Sequence, residues 1–135
     1  MSAVYLDSCI AIYLIEGAGA VHDAVAARLR PSLGPSPTPV ISDLTRMECR
    51  IGPLKRGESG VLDEFERFFN RPEIRRAALT AGVFDLAAEL RAGRGLRTPD
   101  AIHAAAALAS GCDELWTNDR AFSILADRIK IVVVE

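Results

Sequence analysis

The sequence predicts an α/β fold, a parallel sheet of about five short strands with helices on both faces. Short apolar runs alternate along the chain with segments of helical periodicity, the pattern of strand–helix–strand units. The runs Ala3–Leu6 and Ile131–Val134 are apolar throughout, as strands covered on both faces are. Acidic residues follow the ends of two such runs, at Asp7 and Asp119. A chain of 135 residues has the size of one domain, spanning 1–135, with enough apolar content for a real core.

The elements follow in order. Ala3–Leu6 is the first strand and stops at Asp7, after which Ser8 is placed to cap a helix carrying Ile10, Ile12, Tyr13, Leu14 and Ile15. A second helical pattern (Val21, Val25, Leu29) closes at Pro31, and the four prolines at 31, 35, 37 and 39 mark a loop. Val40-Ile41 is a short strand. Ser42 opens a helix through Leu44, Met47, Glu48 and Ile51, which Gly52-Pro53 is expected to bend or break. Val61, Leu62, Phe65, Phe68 and Phe69 then recur at helical spacing. Glu73–Leu79 reads as a third strand weakened by its Arg75-Arg76 pair, and Thr80 caps a helix that ends at Gly93.

A basic loop, Arg94–Arg97, leads to the segment the fold is built around. Thr98 has the chemistry of an N-cap and Pro99 suits the first helical position, so Asp100 falls in the first turn, where the helix dipole favours a carboxylate. The alanine-rich run to Ala109 is small and apolar on almost every side, the mark of a helix through the middle of a domain. Glu114–Thr117 forms a strand ending beside Asn118-Asp119, a short helix covers Phe122–Leu125, and Ile131–Val134 is the last strand.

Composition excludes several classes. A net charge of −2 gives no bulk attraction to nucleic acid, although all cationic residues except Lys55 and Lys130 are arginine, the side chain suited to bidentate phosphate contacts. Cys9, Cys49 and Cys112 are odd in number and widely spaced, which fits reduced thiols and not a disulfide or zinc framework. No apolar run approaches the roughly 20 residues of a membrane span, and no secretory signal precedes Asp7. These features predict a cytoplasmic protein without a membrane partner.

The acidic residues carry the chemistry. In an open α/β sheet, ligands bind beyond the carboxyl ends of the strands. Asp7 and Asp119 follow strands and Asp100 opens a helix, so the three converge there, with Glu48 reaching in from its helix. Carboxylates within about 4–6 Å of one another raise each other's pKa unless a cation neutralises them. An all-oxygen set without Cys or His favours Mg2+ or Mn2+. Such a site orients a phosphodiester and activates a water for attack. Ser8, Thr117 and Asn118 are neutral polar neighbours suited to holding waters or carboxylates. Each acid taken singly also suits a helix cap or a solvated surface; the four together favour a site.

The chain resembles the PIN-domain ribonucleases, in particular the VapC-type toxins of bacterial toxin–antitoxin pairs. The resemblance rests on Val4-Tyr5-Leu6-Asp7-Ser8-Cys9, on Ile41-Ser42 through Glu48, on Thr98-Pro99-Asp100-Ala101-Ile102-His103-Ala104-Ala105, and on Leu115-Trp116-Thr117-Asn118-Asp119-Arg120-Ala121-Phe122. It implies a three-layer α/β/α fold and an endoribonuclease in which Asp7, Glu48, Asp100 and Asp119 are catalytic. Of these, Asp7, Asp100 and Asp119 would bind Mg2+ or Mn2+. A homodimer and a cognate antitoxin that blocks the site are implied with it.

His103, one turn after Asp100 among alanines, reads as a hydrogen-bonded structural histidine in preference to a base or ligand. Arg46, Arg50, Arg97 and Arg120 are candidates for RNA phosphate contacts, since an acidic pocket needs cations at its rim to hold a polyanion. The helices Val61–Phe69 and Ile10–Ile15 are candidate faces for the antitoxin or a second copy, although ordinary core explains their stripes equally well. A housekeeping RNA-maturation nuclease and a non-catalytic binding domain are the alternative functions. A receiver domain and a haloacid-dehalogenase-type phosphatase fit less well, the latter because Asp7-Ser8-Cys9 lacks its Asp-x-Asp.

Overall fold

The computed structural model describes residues 2–17, 19–29 and 37–134. Five parallel strands, β1 (Ala3–Leu6), β2 (Thr38–Ser42), β3 (Arg75–Ala77), β4 (Glu114–Thr117) and β5 (Lys130–Val133), form one sheet in the order β3-β2-β1-β4-β5. The helices are α1 (Ser8–Ile15), α2 (Gly19–Leu29), α3 (Asp43–Arg56), α4 (Ser59–Phe69), α5 (Ala81–Arg94) and α6 (Thr98–Ala109), with a 3-10 helix over Arg120–Leu125. This is the three-layer arrangement expected from the alternation of strands and helices. The first six residues of the predicted proline loop lie outside the described residues.

Strand periodicity divides the core into two halves. Ala3 and Tyr5 of β1, Val40 of β2 and Leu115 of β4 face a layer made by α5, α6 and the 3-10 helix, with Phe122 and Leu125 buried there. Val4, Leu6, Ile41 and Trp116 face the opposite layer with Ile10 of α1 and Phe65, Phe68 and Phe69 of α4. Helix α6 buries Ala101, His103 and the run Ala104–Ala107, so small side chains make up most of the layer between its backbone and the sheet. The phenylalanines predicted as either core or partner face are core. The large apolar side chains left exposed on α3 are Met47, Ile51 and Leu54, spaced to share one helix face.

Ser42 and Thr80 cap α3 and α5 as expected, while the starts of α1 and α6 depart from expectation by one residue. Asp7 and not Ser8 caps α1, its Oδ1 accepting from the Ser8 amide at 2.8 Å. Arg97 and not Thr98 is the N-cap of α6, which moves Pro99 to the second helical position and leaves Asp100 in the first turn. Helix α3 is not broken at Gly52-Pro53. It continues to Arg56 and ends where Gly57 turns left-handed at φ +69°. The proline sits within the last turn, where it removes a single helix hydrogen bond and buries its ring. Helix α5 likewise runs past Gly93 to Arg94, with Gly95 at φ +74° closing it.

Candidate active site

The strand order reverses direction at β1. From β1 the chain moves to β2 and β3, then crosses to β4 and β5 on the other side. The crevice beyond the ends of β1 and β4 is therefore the switch point at which open α/β sheets bind ligands. Asp7 lies in it, its backbone N–H extending the ladder to the Trp116 carbonyl at 3.0 Å.

The Asp7 carboxylate is buried, with 7% of the residue exposed, and fixed on both oxygens. The Ser8 amide donates to Oδ1, and the Thr117 hydroxyl donates to Oδ2 at 2.7 Å. Thr117 in turn accepts from the Asp119 amide at 3.0 Å, which ties the turn after β4 to the end of β1. The Cys9 thiol also faces Asp7 Oδ2, at 3.7 Å. Burial and the Asp7 charge push this thiol up to about 12, so it stays protonated.

Glu48 projects from α3 and meets His103 of α6, with Oε1 at 2.5 Å from Nε2. The same Nε2 is 3.6 Å from Asp7 Oδ1. Asp7, Glu48 and His103 each offer one ligand atom within 4.8 Å of the others. Burial alone would raise the Glu48 pKa, but the hydrogen bond and charge of His103, with help from Ser8 and Arg97, bring it below the usual carboxylate range. Glu48 is thus held ionised.

Asp100 and Asp119 stand beside this cluster, joined by one guanidinium. Arg97 Nε lies 3.2 Å from Asp100 Oδ2, and Arg97 Nη2 lies 3.5 Å from Asp119 Oδ2. Burial pushes the Asp100 pKa up; Arg97 opposes this, while the charges of Asp7 and Asp119 add to it. Asp119 spends its Oδ1 on the Ala121 amide at 2.9 Å, capping the 3-10 helix.

Other expected residues are engaged elsewhere. Asn118 donates its side-chain amide to the Tyr13 hydroxyl at 2.6 Å and not to a carboxylate. Arg46 and Arg50 share Glu66 of α4 at 2.9 and 3.2 Å, and Arg120 is exposed at the start of the 3-10 helix. Sequence reasoning missed Tyr5, Ser42 and Thr45, which build a buried polar chain behind His103. Tyr5 reads as one more apolar residue of a strand, and only its orientation toward α6 discloses its hydroxyl.

The donor set suits a hard divalent cation: carboxylate oxygens dominate, three buried or half-buried groups converge, and two further acids adjoin them. The chain belongs to the PIN-domain family, whose sequence model matches residues 4–128. Solved structures of similar fold include VapBC2 from Rickettsia felis bound to a promoter DNA fragment (18% identity, TM-score 0.74, 98% of this chain and 99% of that one). DNA-bound VapBC from Salmonella typhimurium is also similar (20% identity, TM-score 0.71, 97% of each chain). So is VapC20 of Mycobacterium tuberculosis, a Sarcin–Ricin loop cleaving toxin (15% identity, TM-score 0.68, 84% of this chain and 87% of that one). Among curated proteins, none matches the sequence at a significant level.

Proposed function

We propose that this chain, as one domain spanning 1–135, is a metal-dependent endoribonuclease and the toxin of a toxin–antitoxin pair, acting in the cytoplasm. The observation that carries the reading is the convergence of Asp7, Glu48 and His103 at the sheet switch point, with Asp100 and Asp119 alongside, in a member of the PIN-domain family. Among the described residues no helix is long and apolar enough to cross a membrane. The toxin–antitoxin complexes among the structures of similar fold support an antitoxin as partner. The exposed face of Met47, Ile51 and Leu54 suits an amphipathic segment of that partner. A homodimer belongs to the same reading.

Asp7, Asp100 and Asp119 would hold Mg2+ or Mn2+, with Glu48 completing the acidic set. Bound there, the cation supplies positive charge that favours attack of water on a phosphodiester and departure of the leaving oxygen. The chain's own contribution is positional. Thr117 and Ser8 lock Asp7, His103 keeps Glu48 ionised, and α6 holds Asp100 beside Asp7 and Asp119. Discrete fragments of total cellular RNA are expected from the purified protein with Mg2+ or Mn2+, and none with EDTA. Cleavage that persists undiminished in EDTA overturns the metal-dependent reading.

Arg97 has two roles in this scheme. Without a cation its guanidinium neutralises Asp100 and Asp119, and with one it is released to an RNA phosphate at the rim. Arg97→Gln is expected to tighten Mn2+ binding about threefold, a small effect because the side chain is 76% exposed and its attraction is screened. The same variant should raise the KM for RNA. Mn2+ titration by calorimetry checks the first effect, and unchanged or weaker Mn2+ binding counts against the displacement.

A further inference from the structure

We propose that His103 is a positioning residue, the last link of a buried hydrogen-bonded chain that aims the Glu48 carboxylate into the acidic pocket. The chain begins at the N-cap of α3, where Ser42 Oγ lies 2.7 Å from Tyr5 Oη. Tyr5 Oη lies 2.7 Å from His103 Nδ1, and His103 Nε2 lies 2.5 Å from Glu48 Oε1. Thr45 Oγ1 stands 3.4 Å from the same phenol and accepts from the Ser42 amide. Three elements meet in this chain: β1 through Tyr5, α6 through His103, and the N-terminus of α3 through Ser42 and Thr45.

An ionised Glu48 can only accept, so the proton between it and the imidazole belongs to Nε2. The other ring nitrogen, Nδ1, is bonded to the phenol of Tyr5, so the imidazole is tied at both nitrogens and cannot turn without breaking a buried hydrogen bond. The phenol in turn is held by the Ser42 hydroxyl. Every member of the chain has a partner. Among the described residues no buried side-chain nitrogen or oxygen lacks a partner.

This arrangement does more than satisfy a core histidine. Tyr5, Ser42 and Thr45 are fully buried and His103 is 1% exposed, while Glu48 stands at the open end of the chain, half-buried beside Asp7. A glutamate side chain has three rotatable bonds, and on a half-exposed helix face it samples several rotamers unless something holds it. The imidazole fixes one of them. With Nε2 bonded to Glu48, the ring is also held as an outer partner of the site in preference to a metal ligand, and such partners orient the groups that touch the metal.

The inference rests on the metal-dependent reading above, and Mn2+ binding tests the two separately. Calorimetric titration of MnCl2 into wild type, Tyr5→Phe, His103→Gln and His103→Leu reads the affinity without any RNA. His103→Leu is expected to weaken Mn2+ binding roughly tenfold. Tyr5→Phe, which keeps the ring in the core, should weaken it about threefold. His103→Gln, whose amide N–H can reach Glu48, should recover part of the loss. Adding Tyr5→Phe to His103→Leu should cost nothing further, a coupling that two unrelated core defects would not produce. Should His103→Leu fail to fold, Tyr5→Phe and His103→Gln decide the matter. A wild type that binds no Mn2+ overturns the metal reading and this inference with it. A wild type that binds, beside folded variants of equal affinity, overturns the positioning role alone. A histidine nitrogen coupled directly to bound Mn2+ in electron spin-echo spectra overturns it too, by making His103 a ligand.

Discussion

Asp100→Ala is expected to abolish metal-dependent RNA cleavage, lowering kcat by roughly a hundredfold or more, while leaving the fold intact. The carboxylate sits buried at the mouth of α6 beside Asp7 and Asp119, and its pKa is raised by that burial and by those charges. In the folded protein without metal it is thus a source of repulsion, and its truncation relieves charge crowding. The cost to the helix is the loss of one favourable first-turn charge, about 0.3–1 kcal/mol. Arg97, mostly exposed, returns to solvent. Thermal unfolding without added metal should therefore shift by only a few degrees, whereas the stabilisation that Mn2+ gives the wild type should be largely lost. A variant that still cleaves, insensitive to EDTA, would sink the mechanism.

Phe65→Ala should do the reverse, lowering stability by about 3–5 kcal/mol without touching the chemistry. Phe65 has no exposed surface and stacks on Phe69 with ring centroids 5.9 Å apart. It lies in the core half that holds Val4, Leu6, Ile10, Ile41 and Trp116. Truncation leaves a cavity between α4 and the sheet that rigid neighbours cannot close. Chemical denaturation should show the lower midpoint, and the fraction that remains folded should cleave RNA at the wild-type rate. A loss below about 1 kcal/mol would mean that the α4 layer rearranges to fill the space. Together the two variants separate what holds the molecule up from what it does.

Much of the fold was legible because burial leaves a mark on composition. Ala3–Leu6 and Glu114–Thr117 read as strands from apolar character and from the polar residues that end them, and those ending residues are the ones brought to the pocket. Helix termini were less legible. The Asp7 carboxylate takes the amide of Ser8 itself, which makes Asp7 the cap and draws Ser8 into the first turn, and a proline near the end of α3 removes too little to stop it. The cross-element contacts could not be read at all. Arg46 and Arg50 lie on α3 and their partner Glu66 on α4, so nothing in the local sequence tells that their charges are already paired. Tyr5 is hidden for the same reason, since strand periodicity says which face a residue is on but not which polar atom waits there. His103 was legible as a hydrogen-bonded histidine, though not as one whose partner is Glu48.

The position of β1 at the centre of the sheet has a consequence for synthesis on the ribosome. Its neighbours are β2, from the first third of the chain, and β4, from the last. Asp7 is translated more than a hundred residues ahead of its anchor Thr117 and its neighbour Asp119. Contacts of such long range form late and make folding slow. A growing or prematurely released polypeptide therefore holds the early carboxylates without the framework that gathers them. A protein that cuts RNA would in this way be harmless to the message from which it is being read until its last strands are laid down.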